Sequence, residues 1–285
     1  MTRPPRLVAT DLDGTLLDAA GRVGERTRTV LAELDDRGVP VVFVTGRPVR
    51  WMHHLWQEVG GHGLAICSNG GIVYDVAAGA IRDTRALPGP ALLELVERLR
   101  RELPGTVVAY ETTDGFAREP RWTPRRADDG DLADVVVDDL EAFAASGPAC
   151  VKVLARADDA DPEAYWHRLE DLVGDLVTVT FSSTSALVEM SAVGVTKAST
   201  LELLCADLDV DASEVVAFGD MPNDIPLLSW AGHGVAMAGA HPAVRAVADD
   251  VAGDHDDDGV ARALVALFGL AGWAADDEAD HGGTR

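Results

Sequence analysis

"VATDLDGTLLD", residues 8–18, runs from apolar residues into two aspartates, Asp11 and Asp13, and then turns at Gly14. Four- to six-residue apolar runs that stop abruptly at a polar loop read as buried strands. A carboxylate left at the end of such a strand is costly unless it is paired or holds a metal. Residues two apart on a strand share a face, so Asp11 and Asp13 are expected to look into one cavity. Gly14 permits a sharp turn and Thr15 is expected to donate locally. A plain Asp-Gly turn with solvated carboxylates is the competing reading.

Working outward, the strand Leu7–Asp11 is followed by a helix around Glu25–Arg37, with Val30, Leu31 and Leu34 on one face. "GVPVVFVTGR" then reads as a strand covered on both sides. A helix over Pro48–Val59 and the run "LAICSNGG" complete a strand–helix–strand–helix–strand series. That series predicts an α/β fold with a doubly wound, parallel, Rossmann-like sheet. From about Thr84 the rhythm changes. Helical stretches at Pro88–Leu103, Leu140–Ala145 and Pro162–Val173 are interleaved with "TVVAY", "CVKVLAR", "LVTVTF" and "ALVEMS". Several of these runs leave no room for a crossover helix, so an antiparallel sheet with helices on one face is expected. The sequence thus divides into a core of residues 1–84 and 191–272, an inserted α+β module of residues 85–190, and a disordered acidic tail at 273–285.

Composition narrows the function. The 285 residues are 47% hydrophobic without an apolar run long enough to span a bilayer, which predicts a globular chain off the membrane. A formal charge of −24 disfavours nonspecific nucleic-acid binding. It leaves a small anionic substrate open, because a bound cation can reverse the field inside one pocket. Three scattered cysteines and an N-terminus without secretory features favour the cytoplasm. Of 24 basic residues only Lys152 and Lys197 are lysines. Each marks a place where a compact charge was chosen over arginine.

Four motifs fall at the ends of strands or the start of a helix, the edge where open α/β sheets bind ligands. "DLDGT" is the first. In "VFVTGR", the Thr45 hydroxyl and the Gly46 and Arg47 amides can hold an anion, or Thr45 can simply cap the helix that Pro48 begins. Lys197, in "GVTKAST", sits in a first helical turn, where the helix dipole opposes a cation and an anionic partner is expected. The alternative is a solvated surface lysine. Lys152, inside "CVKVLAR", reads as an exposed strand position. "AFGDMPNDIPLL" supplies Asp220, Asn223 and Asp224 after a buried strand. Asp11, Asp13, Asp220 and Asp224 converging on one edge would repel one another, and Mg2+ with its oxygen ligands resolves that repulsion. Carboxylate nucleophile, carboxyl acid/base, hard cation and lysine are the parts of phosphoryl transfer through an aspartyl phosphate.

The ordered set "DLDGT", "VTGR", lysine and "GDMPND" resembles the haloacid dehalogenase superfamily. The insertion point and "ICSNGG" resemble its Cof-type phosphatases, which carry a C2 cap. The resemblance implies a phosphatase acting on a small phosphorylated metabolite, such as a sugar phosphate. It implies Asp11 as nucleophile and Asp13 as acid/base, with the Asp13 carbonyl on Mg2+. Thr45 and Lys197 would hold phosphoryl oxygens, Asp220 would bind metal, and Asp224 would bind it directly or from the outer shell. Gly46, Arg47, Asn69, Gly70 and Asn223 would contact phosphate or substrate. A phosphotransferase such as a phosphohexomutase shares the core, and Arg118, Arg121, Arg125 and Arg126 would bind a second phosphate in that case; as a solvated loop they would bind none. A non-catalytic regulatory binder is the third reading, opposed by the complete Asp11/Asp13/Lys197/Asp220 set. The oligomeric state is not legible.

Overall fold

The computed structural model describes residues 4–58, 63–123, 134–181 and 185–270. Its first part carries β1 (Leu7–Thr10), α1 (Glu25–Asp36), β2 (Val41–Val44), α2 (His53–Glu58), β3 (Leu64–Cys67), β4 (Ile72–Asp75) and β5 (Ala80–Thr84). The middle carries α3 (Gly89–Glu102), β6 (Val107–Thr112), β7 (Gly115–Arg118), β8 (Asp134–Val136), α4 (Leu140–Ser146), β9 (Cys150–Arg156), α5 (Pro162–Val173), β10 (Thr178–Thr180) and β11 (Leu187–Ser191). The last part adds α6 (Lys197–Asp207), β12 (Val215–Gly219), α7 (Ile225–Trp230), β13 (His233–Ala236), α8 (Pro242–Arg245), β14 (Asp250–Val251) and α9 (Gly259–Phe268).

Two sheets result. The larger has the order β14-β13-β12-β1-β2-β3-β4-β5 and draws its strands from both ends of the chain. β14 through β3 run parallel, as the unbroken apolar strands predict. β1, β12 and β2 are buried almost throughout, in a core shared with Leu34 of α1 and Leu264 of α9. β4 and β5 extend this sheet as an antiparallel hairpin that the strand–helix rhythm did not foretell. The reversal is made at Ser68, Asn69 and Gly70, which all take left-handed φ values. The helix expected over Pro48–Val59 is shorter, a 3-10 turn at Val49–Trp51 followed by α2.

The second sheet has the order β10-β11-β9-β6-β7-β8, antiparallel except at β7–β8. Its strands alternate. Val153 and Ala155 of β9 and Val188 and Met190 of β11 pack with Leu95 and Leu99 of α3 and Leu169 of α5. Lys152, Leu154, Arg156, Leu187 and Glu189, at the intervening positions, line a cavity shared with the first sheet. The helices therefore cover one face of this sheet, and its other face looks toward the ends of β1 and β2. No helix among the described residues is long and apolar enough to cross a membrane. Residues 273–285, expected to be disordered, lie outside the described residues.

Candidate active site

The order in which strands are added reverses between β1 and β12, since β2 and β3 follow on one side and β13 on the other, all of them parallel. Crevices open at the strand ends of such a switch point. Asp11 stands there, its amide bonded to the Phe218 carbonyl at 3.0 Å. β1 ends at Thr10, so Asp11 and Asp13 occupy a tight turn and not a continuing strand. Both still line one cavity. Asp11 is buried, whereas the Asp13 side chain is half exposed.

Gly14 has φ +73°, and a β-carbon there would lie 2.4 Å from Asp220 Oδ2. The glycine is needed for the turn and for the close approach of Asp220. Thr15 donates to Asp220 Oδ1 at 3.2 Å, a tie across 205 residues where a local one was expected.

Lys197 is the first residue of α6, whose N-cap is Thr196. Only 1% of its side chain is exposed, and its Nζ lies 2.9 Å from Asp11 and 2.6 Å from Asp224. Asp224 Oδ2 accepts the amides of Asp220 and Met221 at 3.0 and 3.1 Å. This buried carboxylate thus ties the "GDMPND" loop to the lysine. Asp11, Asp220 and Asp224 each offer a carboxylate oxygen within 4.8 Å of the others.

The crowding has electrostatic consequences. Burial raises the Asp11 carboxyl well above the usual carboxylate range; Lys197 opposes this, while Asp224, Asp220 and Asp13 add to it. Asp220 is pushed up to about 7, by burial first and by Asp224 next. Burial works against the Lys197 ammonium, but Asp11 and Asp224 outweigh it and raise its pKa above that of an ordinary lysine.

Thr45 follows β2 and is fully buried. Its Oγ1 accepts the Arg47 amide at 3.0 Å, so that amide is engaged within the loop. The Arg47 guanidinium grips Asp13 with two hydrogen bonds, of 2.7 and 2.5 Å. Gly46 and Asn223 line the same cavity. Asn69 lies beneath them, accepting from Asn223 Nδ2 at 3.0 Å. Gly70, with φ +105°, packs so tightly that a β-carbon would meet the Thr196 carbonyl oxygen at 2.4 Å. Gly70 shapes the turn behind the site; it is absent from the cavity wall.

The cavity has a volume of about 340 Å³. Its outer wall comes from the second sheet and corrects the expectation for Lys152. Lys152 is only 3% exposed and ion-pairs with Glu189. The strand position judged solvent-facing instead faces the space between the two sheets. Arg118 is partly buried and donates to the Trp122 carbonyl, whereas Arg121 is exposed, as a solvated loop predicts, while donating to the Thr106 carbonyl; neither lines the cavity. Arg125 and Arg126 lie outside the described residues.

Sequence reasoning missed Arg50, which ion-pairs with buried Glu111 and lies between the rings of Trp51 and Phe116. Burial lifts Glu111 to about 7 despite Arg50 and Lys152 nearby. Trp122, stacked under Arg156, completes the wall. Glu111 carried a signal beforehand, a charge within a largely apolar strand, whereas Arg50 lies in the short turn Val49–Trp51.

Fold, site and relatives together make this a phosphoric monoester hydrolase on a doubly wound α/β sheet, with its acidic centre at the strand ends and a second sheet above it. The chain belongs to the haloacid dehalogenase-like hydrolases, whose family model matches residues 8–264. It is 29% identical to the 5-amino-6-(5-phospho-D-ribitylamino)uracil phosphatase YitU of Bacillus subtilis, over 95% of this chain and 100% of that one. It is 30% identical to a phosphoglycolate phosphatase of Methanopyrus kandleri, over 92% of this chain and 97% of that one. Among solved structures it resembles a phosphatase of the haloalkanoate superfamily from Bacteroides thetaiotaomicron. That match has a TM-score of 0.75 and 28% identity, covering 92% of this chain and 94% of the other.

Proposed function

We propose that this chain is a Mg2+-dependent phosphatase that hydrolyses a small phosphorylated metabolite through a phosphoryl group carried on Asp11. One observation carries the reading. Asp11, Asp13, Asp220 and Asp224 bring four negative charges to one strand edge, while Lys197 and Arg47 bring two positive ones. Two negative charges remain, which one divalent cation would balance. The donors are all oxygens, a set suited to a hard ion. Asp11 and Asp220 would hold the ion, with the Asp13 carbonyl as the resemblance implies, and Asp224 would brace them through Lys197 and the loop amides. Bound there, Mg2+ would offset charge on the phosphoryl oxygens and on Asp11.

The chain's own groups supply the rest. Lys197 opposes protonation of Asp11 and orients it, and its ammonium can stabilise the equatorial oxygens as charge develops there. Asp11 attacks phosphorus and the ester oxygen leaves. Asp13, the exposed carboxyl of the pair, would protonate that oxygen and then take a proton from the water that attacks the phosphoryl-aspartate. Arg47 holds Asp13 and can turn to an incoming phosphoryl group, which frees Asp13 for this work. Thr45 and the Gly46 peptide would position the phosphoryl oxygens from the β2 side.

Residues 85–190 serve as the cap in this reading, with the aromatic and charged wall of the cavity contacting the leaving group. A reducing cytoplasm suits Cys67, Cys150 and Cys205, all buried and unpaired. The test is phosphate release from a panel of phosphometabolites, with and without Mg2+ and without any acceptor sugar. Release that needs Mg2+ supports the proposal. Transfer only when an acceptor is supplied would favour a phosphotransferase.

A further inference from the structure

Lys152 and Glu189 take no part in the chemistry above, yet both are buried inside the cap and ion-paired. Their remaining bonds leave the cap. Lys152 Nζ donates to the Gly46 carbonyl at 2.7 Å. Glu189 Oε2 accepts from Asn69 Nδ2 at 2.9 Å. Asn69 in turn accepts from Asn223 at 3.0 Å through its own Oδ1, and its amide donates to the Thr45 carbonyl at 3.0 Å. Two core loops therefore meet this pair directly, Thr45–Arg47 and Ser68–Gly70, and Met221–Asp224 joins them through Asn69.

The contact at Gly46 has a definite consequence. The Gly46 carbonyl and the Arg47 amide belong to one peptide plane. Lys152 holds its oxygen while Thr45 Oγ1 holds its N–H at 3.0 Å, so the plane is pinned from both sides. Gly46 also has little room, since a β-carbon there would lie 3.1 Å from Asn69 Oδ1. Such an ion pair is costly to bury and is a weak source of stability. Its placement fits a role in fixing geometry.

We infer that Lys152 and Glu189 are positioning residues through which the cap sheet sets the loop after β2, the turn after β3 and Asn223, assembling the phosphate side of the site only when the cap is seated. This rests on the phosphatase reading for its kinetic consequence and on the geometry alone for its structural one. Arg50, tied to Glu111 and stacked on Phe116, joins core to cap at the far rim but contacts none of these loops' backbone groups in this way.

The experiment uses the full chain with Glu189→Gln, Glu189→Ala and the double variant Lys152→Met/Glu189→Gln. The double variant replaces the ion pair by groups of similar shape and keeps the cap folded, as a melting curve would verify. Asn69→Ser cuts the same link without stranding a charge, should a variant of the pair fail to fold. Two readouts are taken: hydrogen exchange at the three loops and at β1, and kcat and KM for an aryl phosphate with Mg2+.

Exchange at the Ser68, Asn69 and Asn223 amides should quicken by about tenfold or more while β1 is unchanged. The kcat should fall by about tenfold with KM within about threefold, and Glu189→Ala should exceed Glu189→Gln, which retains one acceptor. Exchange as slow as wild type at all three loops in the folded variants, including Asn69→Ser, overturns the inference. So does quickening spread evenly over the core with kcat unaltered, which marks a merely structural pair. A wild-type chain with no phosphatase activity would instead defeat the proposed function, and the exchange pattern would still judge the pair.

Discussion

Lys197 shows how one side chain can be committed by its surroundings. Its ammonium bridges two carboxylates in a space with 1% exposure, and arginine cannot place its charge at that point without displacing one of them. Lys197→Arg should therefore lower turnover nearly as far as Lys197→Ala, by roughly a hundredfold or more in steady-state assays. Removing the charge also leaves Asp11 and Asp224 unpaired, which should cost about 3–5 kcal/mol of stability in denaturant melts. If Lys197→Arg kept most activity, the phosphate pocket would lie elsewhere. Asp13→Asn should preserve the fold and lower turnover by roughly a hundredfold, with a smaller loss for substrates carrying good leaving groups. An equal loss for every leaving group would remove Asp13 from the acid/base role.

At the scale of elements, the "DLDGT" turn and the loop after β12 fit only because Gly14 lets Asp220 approach. Both acidic groups there, Asp11 and Asp220, are raised by burial and by like charges. A divalent cation held there, as proposed, would compete with protons for them. With Asp220 pushed up to about 7, an ion bound there would have to displace its proton at lower pH, so Mg2+ affinity should weaken by about tenfold or more for each pH unit lost below neutrality. Titration calorimetry across pH 5.5 to 8.5 in roughly half-unit steps would measure it. An affinity independent of pH would mean that these carboxylates do not bind the ion. In β9, Lys152, Leu154 and Arg156 face the cavity and Val153 and Ala155 face the helices. Trp122→Ala, which opens the wall beside Arg156, should change kcat/KM ratios among metabolites by tenfold or so while aryl phosphate turnover stays nearly constant.

For the molecule as a whole, what could be read from sequence depended on how local the signal was. Asp11, Thr45, Lys197 and Asp220 each end a strand or begin a helix, and that punctuation is written in neighbouring residues. The parallel order of β1, β2 and β3 followed from the same rhythm. Lys152 was misjudged because a charge at an alternate position of an apolar strand looks alike whether that face meets water or a polar cavity. Its partner Glu189 lies 37 residues away, and Glu111 pairs with an Arg50 that is 61 residues distant. Such pairings arise from tertiary closure and leave no mark on local periodicity. The β4–β5 hairpin was hidden for a related reason, since the left-handed turn at Ser68–Gly70 reads as a loop of any direction.

The proposed function turns on Asp11 carrying the phosphoryl group in a reaction that needs a divalent ion. The direct measurement is the mass of the peptide containing Asp11 after acid quench of a single turnover, on wild type and Asp11→Asn. A substrate identified by the phosphate-release panel would be used, with Mg2+ or with chelator. Wild type with Mg2+ should show one added phosphoryl group on that peptide, and the variant or the chelated enzyme none. Full turnover with no phosphoryl group ever found on Asp11, or full turnover by Asp11→Asn, would contradict it.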